Sequence, residues 1–118
     1  VKRIEESLDY IKSRRQIAPS LGISALQVYY KKLSEDRCWT DENPKEIGSL
    51  LSGEAEELEE AIVDLNNESN EDNLRAVSYE MVDVLLYVVH LANALGIDLS
   101  DAVREKESIN SKRFDKFV

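Results

Sequence analysis

The sequence predicts an all-α, four-helix-bundle-like fold with an extra helix at its N-terminal end. Three observations carry this. Apolar residues recur at three- and four-residue steps along most of the chain, the spacing of one helix face. Glycine and proline number only 4 and 2 in 118 residues and charged residues make up 33%, a composition suited to long helices rather than to sheets joined by tight turns. No run alternates β-branched and polar residues as a half-buried strand would. The 42% hydrophobic content is enough for one globular domain with a modest core. We read a single domain over 1–118, with a core over 24–114 and a helical extension over 1–18, and find no repeat or internal boundary.

Each element has a local reason. Ile4, Leu8 and Ile11 share a helix face, and that helix stops before Pro19. Residues 20–24 read as a turn with Ser24 as the N-cap of a second helix over 25–36, whose inner side carries Leu26, Tyr29, Tyr30 and Leu33. Residues 37–43 form a loop bearing Trp39, and Pro44 suits the first turn of a third helix. That helix presents Ile47, Leu50, Leu51, Leu58, Ala61, Ile62 and Leu65, and it ends in a polar loop over 66–72 that can serve as a hairpin turn. A fourth helix runs to Leu95, with Gly96 placed to terminate it. Asp98 then caps a fifth helix over 99–111.

The fourth helix is apolar almost all round from Met81 to Ala92, interrupted mainly by Asp83 and His90. Such a helix must be covered on most sides, and a chain this short offers few helices to do it. A homo-oligomer, dimer or tetramer, is therefore expected.

The net charge of −9 argues against a nucleic-acid polymer as partner, since polymer binding needs many Lys and Arg contacts to phosphate. It leaves a small phosphorylated ligand open, because bound divalent cations invert the local field. The single cysteine, Cys38, excludes a disulfide framework within the chain and reads as a local residue at a helix end. The charged segment 1–10 does not resemble a signal peptide, and no stretch has the apolar length of a membrane span. We expect a cytoplasmic protein.

Function is written in four acids. Glu54 and Glu57 lie within the apolar stripe of the third helix, and Glu80 and Asp83 within that of the fourth. Members of each pair are three residues apart and so are neighbours on one face. If the two helices pack antiparallel, the pairs meet. Glutamate is a good helix former, and Glu56, Glu59 and Glu60 crowd the same helix, so Glu54 and Glu57 alone would also suit a solvated face. Asp83 is a poor helix former set among Met81, Val82, Val84 and Leu85. Buried and unpaired, it would cost several kcal/mol, on the order of the net stability of a small domain. Converging acids need a cation, and an all-oxygen set suits Mg²⁺, with Mn²⁺ possible, better than Zn²⁺.

Several further residues compete between chemical and structural roles. Tyr87, one turn beyond Asp83, suits either a hydrogen bond to substrate or a place in the core. His90 continues that face and reads as a satisfied buried histidine. With no other histidine in the chain, and Tyr87 three residues before His90, the Glu-x-x-His pairs of a diiron bundle are excluded. The acidic and amide residues from Asp64 to Asn70 lack the glycine and glutamate of an EF-hand loop. Lys106, Asn110 and Arg113 share one face of the last helix and suit phosphate oxygens or a sugar; a solvated face is the alternative.

E-x-x-E at Glu54 and Glu57, E-x-x-D at Glu80 and Asp83, the link around Gly96, Ile97 and Asp98, and the ending with Lys106, Asn110 and Arg113 together resemble the MazG-like all-α nucleoside triphosphate pyrophosphohydrolases. The resemblance spans 26–114. Gly53 and Glu56 stand where many members have Glu and Gly, and Gly53, Glu54 and Trp39 look closest to the dCTP-pyrophosphatase-like branch.

The resemblance implies hydrolysis of a (deoxy)nucleoside triphosphate between its α- and β-phosphates, as nucleotide-pool house-cleaning. It implies that Mg²⁺ is held by Glu54, Glu57, Glu80 and Asp83, offsetting triphosphate charge. Glu54 or Glu57 would be the general base for an attacking water. Lys106, Asn110, Arg113 and Tyr87 would contact substrate, and Trp39 would stack on the base, with hydrophobic anchoring of its loop as the alternative role. A phosphoribosyl-ATP pyrophosphohydrolase-type enzyme shares the fold and reaction type. A non-enzymatic helical metal-binding or oligomerisation module is the alternative from another class.

Overall fold

The computed structural model describes residues 22–40 and 42–114; the helix expected over 1–18 lies outside the described residues. The described residues form four helices and no strand: α1 (Ile23–Asp36), α2 (Pro44–Asn67), α3 (Glu71–Leu95) and α4 (Leu99–Phe114). This is the all-α arrangement that the sequence predicts. α2 and α3 run along each other as a long hairpin, α1 packs against α3, and α4 rests on α1.

The hairpin turn is tighter than the seven-residue polar loop expected. Asn70 accepts a hydrogen bond from Asn73 N at 2.7 Å and so caps α3, while Asn73 Nδ2 donates to Glu68 O at 2.7 Å and Asp64 O at 3.3 Å. These bonds satisfy helix-end groups that would otherwise need water, which lets both helices run further into the polar segment. A turn this short forces α2 and α3 antiparallel, which brings the two acid pairs face to face.

α2 starts with a capping box. Asn43 Oδ1 accepts from Glu46 N at 2.8 Å, Glu46 Oε2 accepts from Asn43 N at 3.4 Å, and Pro44 follows as the first helical residue. α3 ends on Gly96, whose φ of 69° is left-handed, with Ile97 N donating to Ala92 O at 2.8 Å. Asp98 Oδ1 then accepts from Ser100 N at 2.9 Å and Asp101 N at 3.2 Å, capping α4 as expected.

Ser24 is not the cap of α1. That place belongs to Gly22, which offers no side-chain bond, and Ser24 lies in the first turn with its Oγ 2.6 Å from Ser100 Oγ. The hydroxyl serves a tertiary contact with the start of α4 instead. At its other end α1 closes on Cys38 (φ 59°), with Trp39 N donating to Ser34 O at 2.8 Å. This is the left-handed helix stop normally given to glycine, and it turns Trp39 back toward the helices.

A side-chain network that periodicity does not reveal fixes the corner between α3 and α4. Gln27 Nε2 donates to Ile97 O at 2.8 Å and Asn93 Oδ1 at 3.2 Å, and Gln27 Oε1 accepts from Leu99 N at 2.9 Å. Asn93 Nδ2 returns a bond to Gln27 O at 3.0 Å.

Among the described residues, the buried apolar side chains are Leu33, Ile47, Ala61, Val77, Val89 and Ala92. Leu50 and Ile62, read from sequence as part of the core stripe, are largely exposed, and on α3 Met81 and Val82 are 57% and 50% exposed. One layer of neighbours covers one face of α3 and leaves the other bare. No single helix among the described residues is long and apolar enough to cross a membrane.

Candidate active site

The two acid pairs meet across the α2–α3 hairpin. One carboxylate oxygen each from Glu54, Glu57 and Glu80 lies within 4.8 Å of the other two. Glu54 and Glu80 are half-buried, Asp83 is half-buried beside them, and Glu57 is exposed, so the acids form a partly solvated cluster rather than a closed core. Within it, Glu54 Oε2 and Glu80 Oε2 are sealed from solvent and have no hydrogen-bond partner. Sealed polar atoms in folded proteins nearly always have one. No Lys or Arg among the described residues forms an ion pair with any of the four acids.

The electrostatics follow from that crowding. Burial raises the Glu54 carboxyl above its usual range, and the close Glu57 carboxylate, then Asp83 and Glu80, push it the same way. Glu80 is raised first by burial, then by Glu57 and Asp83. Tyr87 is raised by burial, then by Glu54, Glu42, Asp83 and Glu57, which keeps its phenol protonated as a donor. A group of oxygens that are hard, mutually repelling and partly deprived of solvent fits a hard divalent cation. Glu54, Glu57 and Glu80 would hold it, with Asp83 adjacent.

Two turns further along α3 lies a cavity of about 100 Å³, lined by Tyr30, Ser34, Trp39, Glu42, Leu86, Tyr87 and His90. Tyr87 borders both regions. His90 is only 7% exposed; Nδ1 is 3.2 Å from Ser34 Oγ and Nε2 is 3.1 Å from Glu42 Oε2. It is thus a satisfied buried histidine, as the sequence suggests. Trp39 meets the imidazole edge-on at 6.2 Å between centroids, and the Arg37 guanidinium lies 4.9 Å over the indole.

A sequence model of the MazG nucleotide pyrophosphohydrolase domain matches residues 42–113, a stretch that contains both acid pairs. The chain belongs to this MazG family. No curated protein sequence matches the chain. Membership carries nucleotide pyrophosphohydrolase activity as the general reaction, and dependence on a divalent metal ion is typical of the family.

Within this MazG domain, Lys106, Asn110 and Arg113 stand apart from the acids. They lie on α4, whose main packing is against α1, and no hydrogen bond or ion pair among the described residues joins them to the acid pairs. Lys106 and Arg113 are exposed and Asn110 half-buried; the Arg113 guanidinium lies 4.9 Å from its neighbour Phe114's ring. Sequence reasoning passed over Glu42 and Ser34. Glu42 sits in an aperiodic loop and Ser34 on a helix side, so no spacing marks either. The signal available was His90 itself, a buried imidazole that needs partners for both nitrogens.

Proposed function

We propose that the chain hydrolyses (deoxy)nucleoside triphosphates to a monophosphate and pyrophosphate, with Mg²⁺ as the metal and Mn²⁺ able to replace it. The observation that carries this reading is the pair of sealed, partnerless oxygens on Glu54 and Glu80 inside a cluster that forms no ion pair with a Lys or Arg among the described residues. A purely structural cluster would relax toward solvent or recruit a Lys or Arg, because unpaired buried charge is strongly unfavourable.

In this reading Glu54, Glu57, Glu80 and Asp83 hold the metal. When bound, it offsets phosphate charge and polarises the anhydride under attack. Glu54 or Glu57 takes the proton of the attacking water. Burial and the neighbouring Glu57 raise the Glu54 carboxyl, which makes it a stronger base than an exposed glutamate. Tyr87 donates its phenol hydrogen to a substrate oxygen at the boundary between acids and cavity, and Trp39 stacks on the base. Lys106, Asn110 and Arg113 hold phosphate oxygens. Since α4 rests on α1, we assign their approach to a second copy of the chain, in a dimer or tetramer joined through the bare face of α3. Nucleotide-pool house-cleaning in the cytoplasm is the role we assign.

The test is product analysis on a panel of ribo- and deoxynucleoside triphosphates, with Mg²⁺ and with chelator. Pyrophosphate and monophosphate that disappear with chelator support the reading. Release of inorganic phosphate instead would contradict the cleavage site. Inactivity on every member would shift the assignment to phosphoribosyl-ATP or to a non-enzymatic metal-binding module.

A further inference from the structure

His90 is the single histidine of the chain, buried, and unused by hydrolysis at the acid cluster. Its neighbours say how many hydrogens it carries. The Ser34 hydroxyl lies 2.7 Å from Tyr30 O and gives that carbonyl its only hydrogen. Ser34 Oγ, 3.2 Å from Nδ1, therefore accepts from the imidazole, and Nδ1 carries a hydrogen. This order also excludes a hydrolytic triad of Ser34, His90 and Glu42, because the serine has no hydrogen left for the imidazole to take. On the other side Nε2 is 3.1 Å from Glu42 Oε2. A neutral ring would turn a lone pair toward that carboxylate, whereas a charged ring donates from both nitrogens. The contact is thus an ion pair that exists while His90 is charged and Glu42 is ionised. The His90 side chain is 8% exposed and that of Glu42 is 31% exposed, so the pair is sealed at the imidazole and open to solvent protons at the carboxylate.

The same pair holds one wall of the cavity. Glu42 N donates to Trp39 O at 3.3 Å, and Trp39 N donates to Ser34 O at 2.8 Å. Trp39 is therefore tied to α1 by its own amide and to α3 through Glu42 and His90. The groups facing the imidazole come from three elements. α1 supplies Tyr30 and Ser34, the loop after it supplies Trp39 and Glu42, and α3 supplies Tyr87, while α2 adds nothing to the cavity lining. Among these described residues Glu42 is the one carboxylate, and the nearest fixed cation, Arg37, lies on the Trp39 ring at 4.9 Å. The charge on the imidazole thus has one counter-ion, and that counter-ion is joined to Trp39.

We propose that His90 and Glu42 form a pH-sensitive latch, which holds Trp39 and Glu42 against α3 while the imidazole is charged and leaves Trp39 anchored from α1 alone when it is neutral. Histidine is the side chain whose charge changes between about pH 5 and 8. The latch is closed toward the acid end of that range and opens as pH rises through it. It also opens in stronger acid, once Glu42 takes a proton. The inference goes beyond the hydrolysis proposed above and does not depend on it. Because Tyr87 borders both the cavity and the acids, a molecule bound in the cavity would be held less tightly with the latch open.

One tryptophan and one histidine in the chain let both ends of the latch be read without labels. The test follows the His90 imidazole resonances by NMR and the Trp39 emission by fluorescence, from pH 5 to pH 9, in the full chain with chelator. The wild type should show one transition in Trp39 emission, red-shifted at high pH, with the same midpoint as the imidazole titration. Glu42→Gln can accept from a charged ring and donate to a neutral one. It should flatten the Trp39 transition and move the imidazole midpoint down by about one pH unit. Ser34→Ala removes the acceptor at Nδ1, so a neutral ring can point its one hydrogen at Glu42, and Trp39 should keep its low-pH emission to pH 9. Glu42→Gln alters a part-exposed side chain and decides the matter alone if Ser34→Ala does not fold. Flat Trp39 emission in the wild type overturns the inference, since the Ser34 hydroxyl then turns to the ring and the contact survives without charge. A Trp39 transition of full amplitude in Glu42→Gln also overturns it, because the emission then reports the charge on the ring and not a latch.

Discussion

Glu54 on α2 and Glu80 on α3 face each other across the hairpin, each with one carboxylate oxygen sealed from water and without a partner. Such an arrangement is unfavourable in an empty protein and favourable around a cation, and the metal-related predictions rest on that contrast.

Metal should stabilise the fold. Mg²⁺ binds the assembled cluster and not the unfolded chain, so saturating ion should raise the melting temperature; at a hundredfold excess over Kd the gain is about 2.7 kcal/mol. Glu80→Gln should shrink that Mg²⁺-dependent rise in a thermal melt while raising the metal-free melting temperature, because it removes one of the repelling charges.

The same cluster sets a pH dependence in metal-free protein. The folded-state affinities of Glu54 and Glu80 for protons are raised above those of the unfolded chain. Between the ordinary carboxylate range and the raised folded values, the native state binds more protons than the unfolded state. The contribution of these two groups to stability therefore declines as pH rises through that window, and is greatest below it. Melting in chelator from pH 7.5 down to pH 5 should show wild type gaining more stability relative to a Glu54→Gln, Glu80→Gln double variant, and Mg²⁺ should flatten the difference.

The corner between α3 and α4 hangs on one amide. Gln27 satisfies Leu99 N and Ile97 O at once. Gln27→Ala leaves both backbone groups without those bonds, and chemical denaturation should show a loss of about 1–3 kcal/mol. Gln27→Glu keeps the acceptor for Leu99 N but loses the donor to Ile97 O, and should fall between.

The bare side of α3 should be an interface. Met81, Val82 and Leu85 are each roughly half exposed in the single chain. Leu85→Glu should convert the assembly to monomer in analytical ultracentrifugation, with a lower melting temperature. A wild type that sediments as a monomer would contradict the assembly.

What the sequence disclosed, and what it hid, follows from how each feature is encoded. Helices α1 to α4 were legible because Ile47, Leu51 and Leu58, or Val77, Val84 and Leu91, mark a face at fixed spacing. Pro44, Gly96 and Asp98 mark ends through backbone chemistry that local sequence determines, whereas the Asn43 capping box emerged only in the structure. The meeting of Glu54 and Glu57 with Glu80 was legible once the polar turn implied an antiparallel hairpin. Ser24 was misread because its hydroxyl is spent on Ser100, 76 positions away, and no local rule anticipates that. Gln27 with Leu99, and Glu42 with His90, escaped for the same reason: single polar side chains bonding across long separations leave no period. Leu50 and Ile62 fit the core pattern yet remain exposed, since a pattern says which side is apolar and not whether one chain can cover it.

The most direct test is a single-turnover reaction of the preferred triphosphate with Mg²⁺, with wild type beside Asp83→Asn and Glu57→Gln, all three shown to be folded by circular dichroism. Pyrophosphate and monophosphate from wild type, with turnover lost in both variants, is the predicted result. Undiminished pyrophosphate release by Asp83→Asn would contradict the assignment of the acid cluster as the metal-binding catalytic centre.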